Sequence, residues 1–276
     1  MGLDMEENKS VRGWIEDLPK RGRIIFCVDD LKVQFPNVTN EAIRLSVHRL
    51  KNKGRVCSVW RKYYVVVPDE YALRGFVPPI EYIDKLMNSL GYKYYVGLLS
   101  AAALHGSSHQ QPQSFMVVVN SNDVKSKADN NISLCFIAKS QIIEDLLLRK
   151  NASYGEVLVS NPIMTALDLI LYENRIGGLE RAAEVIDGLS DDFKIADSQS
   201  ELWTSFPIPV IQRFGYILES ILGYTKLSDA VYQKLCNTGI ELRKNYLDSK
   251  LRHSTTDEFT YDPKWKIIVN TDLELG

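Results

Sequence analysis

The chain has 276 residues, which at about 100 to 200 residues per domain suggests one large or two moderate domains. With 45% hydrophobic and 25% charged residues it has a globular composition, which argues against a disordered or collagen-like chain. The longest nearly apolar stretch, around residues 96–104, is far shorter than the ~20 residues of a membrane-spanning helix, and the acidic start is unlike a signal peptide. We therefore expect a soluble, unprocessed protein of the cytoplasm without a membrane partner.

The cysteines give no sign of a metal site or of a disulfide framework. All four lie far apart in the sequence, and none of them belongs to a CxxC pair. This pattern is typical of a protein from the reducing cytosol. The four residues are Cys27, Cys57, Cys135 and Cys236.

The charge is unevenly distributed along the chain. Residues 8–67 contain thirteen basic and five acidic residues, a net charge of +8, whereas residues 68–276 carry a net charge of −7. A basic segment joined to an acidic body indicates contact with a polyanion through the N-terminus. Solvated basic faces are common in proteins, so an ordinary charged surface is the alternative interpretation.

Helix and strand signals begin close to the N-terminus. Apolar residues recur at helical spacing over residues 10–18, and Pro19 predicts the end of this first helix. Residues 24–27 are a β-branched stretch that predicts a short strand. Asp29 is the expected N-cap of a brief second helix that ends near Phe35, before a proline.

A third helix and a hairpin complete this segment. Thr39 is a natural N-cap for a helix that runs to about Lys53, and Gly54 is suited to end it in the left-handed conformation. Residues 55–60 and 63–67 are rich in β-forming residues and are separated by two basic ones, as in a hairpin with a charged tip. The order of helix, strand, helix, tight turn, helix and hairpin is typical of a winged helix-turn-helix.

The third helix carries the residue types that can read bases. On a helical wheel Val47 and Leu50 fall within roughly 40° of Ile43, so these three residues define the face that packs on the other helices. In the major groove an arginine can bridge guanine O6 and N7, a glutamate can accept from cytosine N4, and a small apolar side chain can contact a thymine methyl. Basic residues near the helix end and the hairpin tip are expected to contact phosphates. The predicted DNA-binding residues are Thr39, Asn40, Glu41, Arg44, Leu45, His48, Arg49, Lys51, Lys53, Arg55, Arg61 and Lys62.

The rest of the chain predicts a mixed α/β body. Helical spacing occurs at residues 80–90, 98–104, 165–172, 179–189, 209–222 and 229–236, and strand candidates are residues 114–119, 132–137, 156–160 and 265–269. The predicted fold class is therefore α+β (mixed α/β), with an N-terminal winged helix-turn-helix domain and a larger mixed α/β C-terminal domain. We predict the first domain at residues 1–68, a linker at 69–79 and the second domain at 80–276.

No enzymatic motif is complete. A nucleotidyltransferase needs a Gly-Ser turn followed by carboxylates along a strand that hold two metal ions, and Gly106 and Ser107 are followed by a strand, residues 114–119, without any acid. His105 and His109 have the spacing of a metal pair, but the intervening glycine and serines would break the helix, which favours His105 as an ordinary helix-end residue. We predict no catalytic residue, no metal site and no cofactor, and hence a protein that is not an enzyme.

Two further features have open interpretations. Asp168 is expected to be a buried acid bonded to a helix cap or to an arginine such as Arg213, rather than a catalyst. Tyr92, Tyr94 and Tyr95 form a cluster that would suit an interface or base stacking, although a place in the core or on an ordinary surface is favoured.

Segments along nearly the whole chain resemble one protein family. After the N-terminal module come YYVGLLSAAALHG at residues 94–106, QQPQ at 110–113, VLVSNPIMTALDL at 157–169, QRFGYILE at 212–219 and WKIIVN at 265–270. In this order they resemble the AbiEi family of antitoxin transcriptional regulators. The chain departs from the family pattern after Pro162, where a Glu-Arg pair is usual and Ile163 and Met164 stand instead.

This resemblance implies both a function and its partners. It implies a repressor of its own operon that is also the antitoxin of an AbiE-like toxin–antitoxin system in phage defence, paired with a nucleotidyltransferase-like toxin. In this family the winged helix binds inverted repeats in double-stranded promoter DNA. Such repeats place two recognition helices about 34 Å apart, so the protein would dimerise or two copies would associate on the DNA. The alternative is a protein-interaction module whose winged helix docks a protein partner without sequence-specific DNA binding.

Overall fold

The computed structural model of the chain describes residues 10–107, 112–129, 132–249 and 259–275. His109 and the first two residues of the QQPQ segment lie outside these ranges. The chain forms two units, the first from residues 1–95, 117–142 and 149–158 and the second from residues 96–116, 143–148 and 159–276. Both helices and sheets are present along the chain, so the predicted mixed α/β class is confirmed.

The first unit begins with the predicted series of helices and strands. In chain order these are α1 (Val11–Glu16), β1 (Ile25–Cys27), α2 (Val28–Gln34), α3 (Asn40–Asn52), β2 (Val56–Trp60) and β3 (Tyr63–Val66). The strands form an antiparallel sheet in the order β1, β3, β2. We call residues 10–67 the N-terminal module and the β2–β3 hairpin the wing.

A single apolar core holds the N-terminal module together. The predicted inner face of α3 is buried, since Ile43, Val47 and Leu50 are 0%, 3% and 2% exposed. They pack with residues of α1, α2 and the sheet, and burial of each such side chain contributes about 1.5–3 kcal/mol. This packing fixes the rotation of α3 about its own axis and so determines which of its residues face solvent.

The start of α2 differs from the sequence prediction. Asp29 is not the N-cap, because the helix begins at Val28 and its N-cap is Cys27. The Cys27 sulfur accepts a hydrogen bond from the backbone N–H of Asp30 at 3.4 Å, and the Asp30 carboxylate accepts from the backbone N–H of Cys27 at 2.9 Å. This reciprocal capping box satisfies two backbone donors at once and leaves the Asp29 carboxylate free of a capping role.

The body continues with two helices and a six-stranded sheet. The helices are α4 (Ile83–Leu90) and α5 (Leu98–Leu104), and the strands are β4 (Tyr94–Val96), β5 (Phe115–Val119), β6 (Lys127–Asp129), β7 (Ile132–Ala138), β8 (Leu147–Ala152) and β9 (Gly155–Ser160). Their order in the sheet is β6-β7-β5-β4-β9-β8. The predicted α5, β5, β7 and β9 are confirmed, whereas β4, β6 and β8 were not predicted. Most residues of these strands belong to the first unit.

A buried carboxylate orders the segment predicted as a linker. Glu81, 8% exposed, follows residues 69–79 and accepts hydrogen bonds from the Tyr71 hydroxyl at 3.1 Å, the Ser153 hydroxyl at 3.2 Å and the Tyr154 N–H at 3.2 Å. All four residues belong to the first unit. The segment is therefore bonded to the β8–β9 turn, while the division into domains at residues 68 and 80 stays a prediction.

The second unit is mainly helical. Its remaining helices are α6 (Pro162–Leu171), α7 (Glu173–Ile176), α8 (Leu179–Leu189), α9 (Ser200–Thr204), α10 (Ile208–Tyr216) and α11 (Thr225–Asn237). A small sheet with the strand order β10-β12-β11 is formed by β10 (Asn245–Tyr246), β11 (Thr260–Asp262) and β12 (Ile267–Val269). A π-helical turn, Ile217–Ile221, continues α10. The predicted α6, α8, α10, α11 and β12 are confirmed with shifts at their ends, and the short α7 and α9 were missed.

The tyrosine cluster and His105 lie at or near buried positions of the chain. Tyr94 and Tyr95 are buried, which confirms the core interpretation for these two, and Tyr92 is half-buried. His105 is the C-cap of α5, as predicted for a helix-end residue, and its Nε2 lies 2.8 Å from the carbonyl oxygen of Ser160. None of the four cysteines forms a disulfide bond in the part of the chain that the structure describes. No helix of the described ranges is long and apolar enough to cross a membrane.

The predicted burial of Asp168 is confirmed, since this residue is 0% exposed. Arg213 is also buried and forms an ion pair with Glu173 at 4.0 Å. The pairing of Asp168 with Arg213 stays a prediction.

A tryptophan after β11 anchors the end of the chain to α10. Trp265 is fully buried, and its Nε1 donates to the carboxylate of Glu219 at 2.9 Å, which also accepts from Lys264 at 2.6 Å. The indole ring lies directly against Gly215, where an added Cβ would overlap its six-membered ring. Only glycine fits at this position of α10 without a shift of the indole.

We expect Gly215→Ala to destabilise the protein by about 1–3 kcal/mol, because overpacking against Trp265 outweighs the gain in helix propensity. Urea unfolding of the full chain measures this difference. Gly13→Ala is the matched control, since Gly13 also lies in a helix but its Cβ would meet only Ser10 Oγ at 3.5 Å. Equal stability of both variants would contradict the tight contact at Gly215.

Candidate nucleic-acid interface

The exposed side of α3 and the wing line an open groove on the N-terminal module. Its volume is about 620 Å³, and we call it the basic groove because five lysine or arginine residues and one acid line it. The lining residues are Val28, Lys32, Glu41, Arg44, Leu45, Val47, His48, Lys51, Arg61, Lys62 and Tyr64.

The structure brings seven of the twelve predicted DNA-binding residues to this groove. On α3 the side chains of Arg44, His48 and Lys51 follow one another at three- and four-residue spacing along one stripe. The basic residues of the wing tip line the same groove. The seven residues are Glu41, Arg44, Leu45, His48, Lys51, Arg61 and Lys62.

The other five predicted residues lie outside the lining of the groove. The Thr39 hydroxyl accepts a hydrogen bond from the backbone N–H of Ala42 at 3.3 Å, so it caps α3 as the sequence predicted. Arg55 is half-buried and donates to the Asp69 carboxylate at 3.1 Å. The remaining three, which are exposed on α3 or at its end, are Asn40, Arg49 and Lys53.

Helix α2 and strand β3 contribute lining residues that the sequence did not indicate. Lys32 comes from the last turn of α2, and Tyr64 comes from β3, where its ring stacks on Phe26 with centroids 5.8 Å apart. Strand alternation places Tyr64 on the same face as Lys62, which is a weak signal available in the sequence. The position of Lys32 depends on how α2 packs against the wing, and no local pattern gives that.

A hydrogen bond and an ion pair connect the wing tip to the start of α2. The backbone N–H of Val28 donates to the carbonyl oxygen of Lys62 at 3.2 Å. The Asp29 carboxylate lies 2.8 Å from the Lys32 ammonium and 3.8 Å from that of Lys62. The hydrogen bond and charge of Lys32, together with the charge of Lys62, hold the pKa of Asp29 below its usual value. Asp29 is therefore ionised at neutral pH.

The residues that flank the wing tip contact other elements of the first unit. Trp60 in β2 packs edge to face against Phe136 in β7, with ring centroids 5.3 Å apart. The Tyr63 hydroxyl donates to the carbonyl oxygen of Ser89 in α4 at 3.4 Å. These contacts and the bond to α2 all hold the wing at its tip end.

The arrangement is suited to a polyanion. Guanidinium and ammonium groups converge on one open concave surface, which can neutralise phosphates, while α3 presents its exposed side chains to the same space. Among the described residues no group of three or more His, Cys, Asp or Glu side chains could hold a metal ion. The groove therefore has the chemistry of electrostatic binding combined with side-chain readout.

Comparison with known proteins identifies the central part of the chain. Residues 95–220 match the family model of the AbiEi antitoxin C-terminal domain, which confirms the predicted family. A comparison with curated proteins gives no match. Among solved structures, the RV2827C protein from Mycobacterium tuberculosis is similar with a TM-score of 0.63 and 13% sequence identity, over 92% of this chain and 89% of that one. At this identity the similarity shows a shared fold.

Proposed function

We propose that this chain, a member of the AbiEi antitoxin family through its domain at residues 95–220, is an antitoxin that also binds and represses its own promoter. The antitoxin role rests on the family. The observation that supports DNA binding is the basic groove, where the readout face of α3 and the wing tip line one surface. In this proposal the protein acts in the cytoplasm by binding and has no catalytic role.

In this proposal α3 contacts bases and the wing contacts phosphates. The 13 residues of α3 extend over about 20 Å, and a helix of this size can enter the major groove of DNA. Arg44 would then bridge a guanine, Glu41 would accept from a cytosine, and Leu45 would contact a thymine methyl. Arg61 and Lys62 of the wing would contact phosphates, which adds affinity without sequence information.

The proposed partners follow from this role. The DNA partner is a double-stranded promoter with inverted repeats, on which two copies of the chain bind half-sites about 34 Å apart. The protein partner is the toxin of the same system, of the nucleotidyltransferase-like type that the family resemblance implies. The proposal includes self-association on DNA.

The protein is expected to bind its own upstream duplex at least about 10³-fold more tightly than a scrambled duplex at about 150 mM salt, as specific regulators do. Fluorescence anisotropy with the purified full chain measures both affinities. Equal binding of the two duplexes would contradict sequence-specific recognition and would favour the protein-docking alternative.

Arg44→Ala is expected to weaken operator binding by about 1–3 kcal/mol and to relax the preference at one base pair of each half-site. Arg49→Ala is the matched control, because it removes the same charge from α3 outside the lining of the groove. We expect a smaller loss and an unchanged base preference for Arg49→Ala. Binding to a set of operators with single base-pair changes would show this difference. A larger effect of Arg49→Ala would place the reading face on the other flank of α3.

The double variant Arg61→Ala, Lys62→Ala is expected to weaken binding both to the operator and to a scrambled duplex. Because each neutralised phosphate contributes about −0.9, the slope of log K against log salt should become less negative by up to about 1.8. Arg12→Ala, Lys20→Ala removes the same charge from exposed positions of the same module outside the groove, and should change the slope much less. Equal slopes for the two double variants would exclude the wing tip from the interface.

A further inference from the structure

We propose that Asp29 is a positioning residue of the basic groove. Its carboxylate holds the ammonium groups of Lys32 and Lys62 and thereby increases the preference of the protein for its operator over other DNA. This inference rests on the proposed DNA-binding function and deepens it, because it concerns how the same groove discriminates between duplexes.

The geometry connects one carboxylate to two lysines from different elements. One oxygen of Asp29 lies 2.8 Å from Nζ of Lys32 in α2, and the other lies 3.8 Å from Nζ of Lys62 at the wing tip. Both lysines line the basic groove, whereas Asp29 does not. The carboxylate therefore restrains two cationic side chains of the groove from its margin.

We call Asp29, Lys32 and Lys62 the triad. The backbone around this triad is held independently of the Asp29 carboxylate. The N–H of Val28 donates to the carbonyl oxygen of Lys62, and the capping box of Cys27 and Asp30 fixes the start of α2. Removal of the Asp29 charge should therefore free the lysine side chains without moving the wing or the helix. Its effect on DNA binding can then be separated from an effect on folding.

The triad is too exposed to act chiefly through stability. The side chains of Asp29, Lys32 and Lys62 are 56%, 40% and 69% exposed, and solvent screens ion pairs of this kind. We expect the triad to act by restraining the two lysine side chains. A lysine side chain is a flexible four-carbon stem, and it loses rotamer freedom when it is fixed on a phosphate. Lysines that are already restrained lose less freedom where the phosphates lie at the positions that the restraint favours.

Operator and random DNA should respond differently to this restraint. On the operator α3 is held in one register by base contacts, so the phosphates near the wing occupy fixed positions. On other sequences the phosphates take varied positions. A phosphate that comes near without displacing Asp29 from its lysines is repelled by the negative charge of Asp29. Asp29 should therefore reduce non-specific binding more than operator binding.

The test compares Asp29→Asn with the wild-type full chain on its own upstream duplex and on a scrambled duplex, over a range of salt concentrations. We expect affinity for the scrambled duplex to rise about threefold to tenfold, with a salt slope more negative by up to about 0.9 because a freed lysine gains a phosphate. Operator affinity should change by less than about twofold, so the ratio of the two affinities falls. Thermal unfolding should be unchanged, and Asp29→Glu, which keeps the carboxylate, should restore most of the ratio.

Asp17→Asn is the matched control. Asp17 pairs with Lys20 at 2.8 Å and three-residue spacing in the same module, as Asp29 does with Lys32, but neither Asp17 nor Lys20 lines the groove. It adds the same charge and should leave the ratio of affinities unchanged.

The outcomes separate this inference from the proposed function. If the wild-type protein prefers its operator and Asp29→Asn keeps the same ratio, or if Asp17→Asn lowers it equally, the positioning role is wrong and DNA recognition stands. If the wild-type protein shows no preference for its upstream duplex, the proposed function and this inference fall together.

Discussion

The packing of α3 on the core of the N-terminal module is the interaction on which the candidate interface depends. Ile43, Val47 and Leu50 are spaced so that one side of the helix is entirely buried. Every exposed side chain of α3 takes its direction from that burial, since a helix with one face fixed cannot rotate. A change that loosened this core would alter the groove even if each groove residue were kept.

Several basic residues of the N-terminal module form ion pairs outside the groove. Arg12 pairs with Glu16, Lys20 with Asp17, and Arg55 with Asp69, all outside the lining of the groove. Within the described ranges no carboxylate lies within ion-pairing distance of the groove residues Arg44, Lys51 and Arg61. Among the five cations of the groove, Lys32 and Lys62 are the two that pair with a carboxylate of the described residues, that of Asp29.

Local signals in the sequence were sufficient for much of the N-terminal module. The N-cap at Thr39, the left-handed Gly54 and the inner face of α3 depend on residues close together in the chain, and all three agree with the structure. By contrast, the edge strand β8 was not predicted, because it contains charged and exposed residues and shows no alternation of hydrophobic and polar side chains. The Cys27 cap was missed because a thiol is an unusual acceptor at this position.

The groove itself was only partly predictable, since three separate elements form it. The residues of α3 and the wing tip could be named from helical spacing and charge. Lys32 of α2 and Tyr64 of β3 join them only through tertiary packing, which no short window of sequence contains. The same reason explains why the predicted Arg55 is bonded to Asp69 instead.

The contacts beside the wing tip give the module a fixed orientation in the first unit as well as a shape. Trp60 on Phe136 and the bonds of Glu81 join the module and its following segment to strands of the first unit. A shift of the binding site by one base pair moves a bound helix about 3.4 Å along the DNA and about a tenth of a turn around it. The strands of the first unit would make the same screw movement. If α3 binds the operator as proposed, the position of the operator along the DNA helix would determine which side of the promoter these strands cover. Insertion of half a helical turn of DNA between the operator and the rest of the promoter would place them on the opposite side.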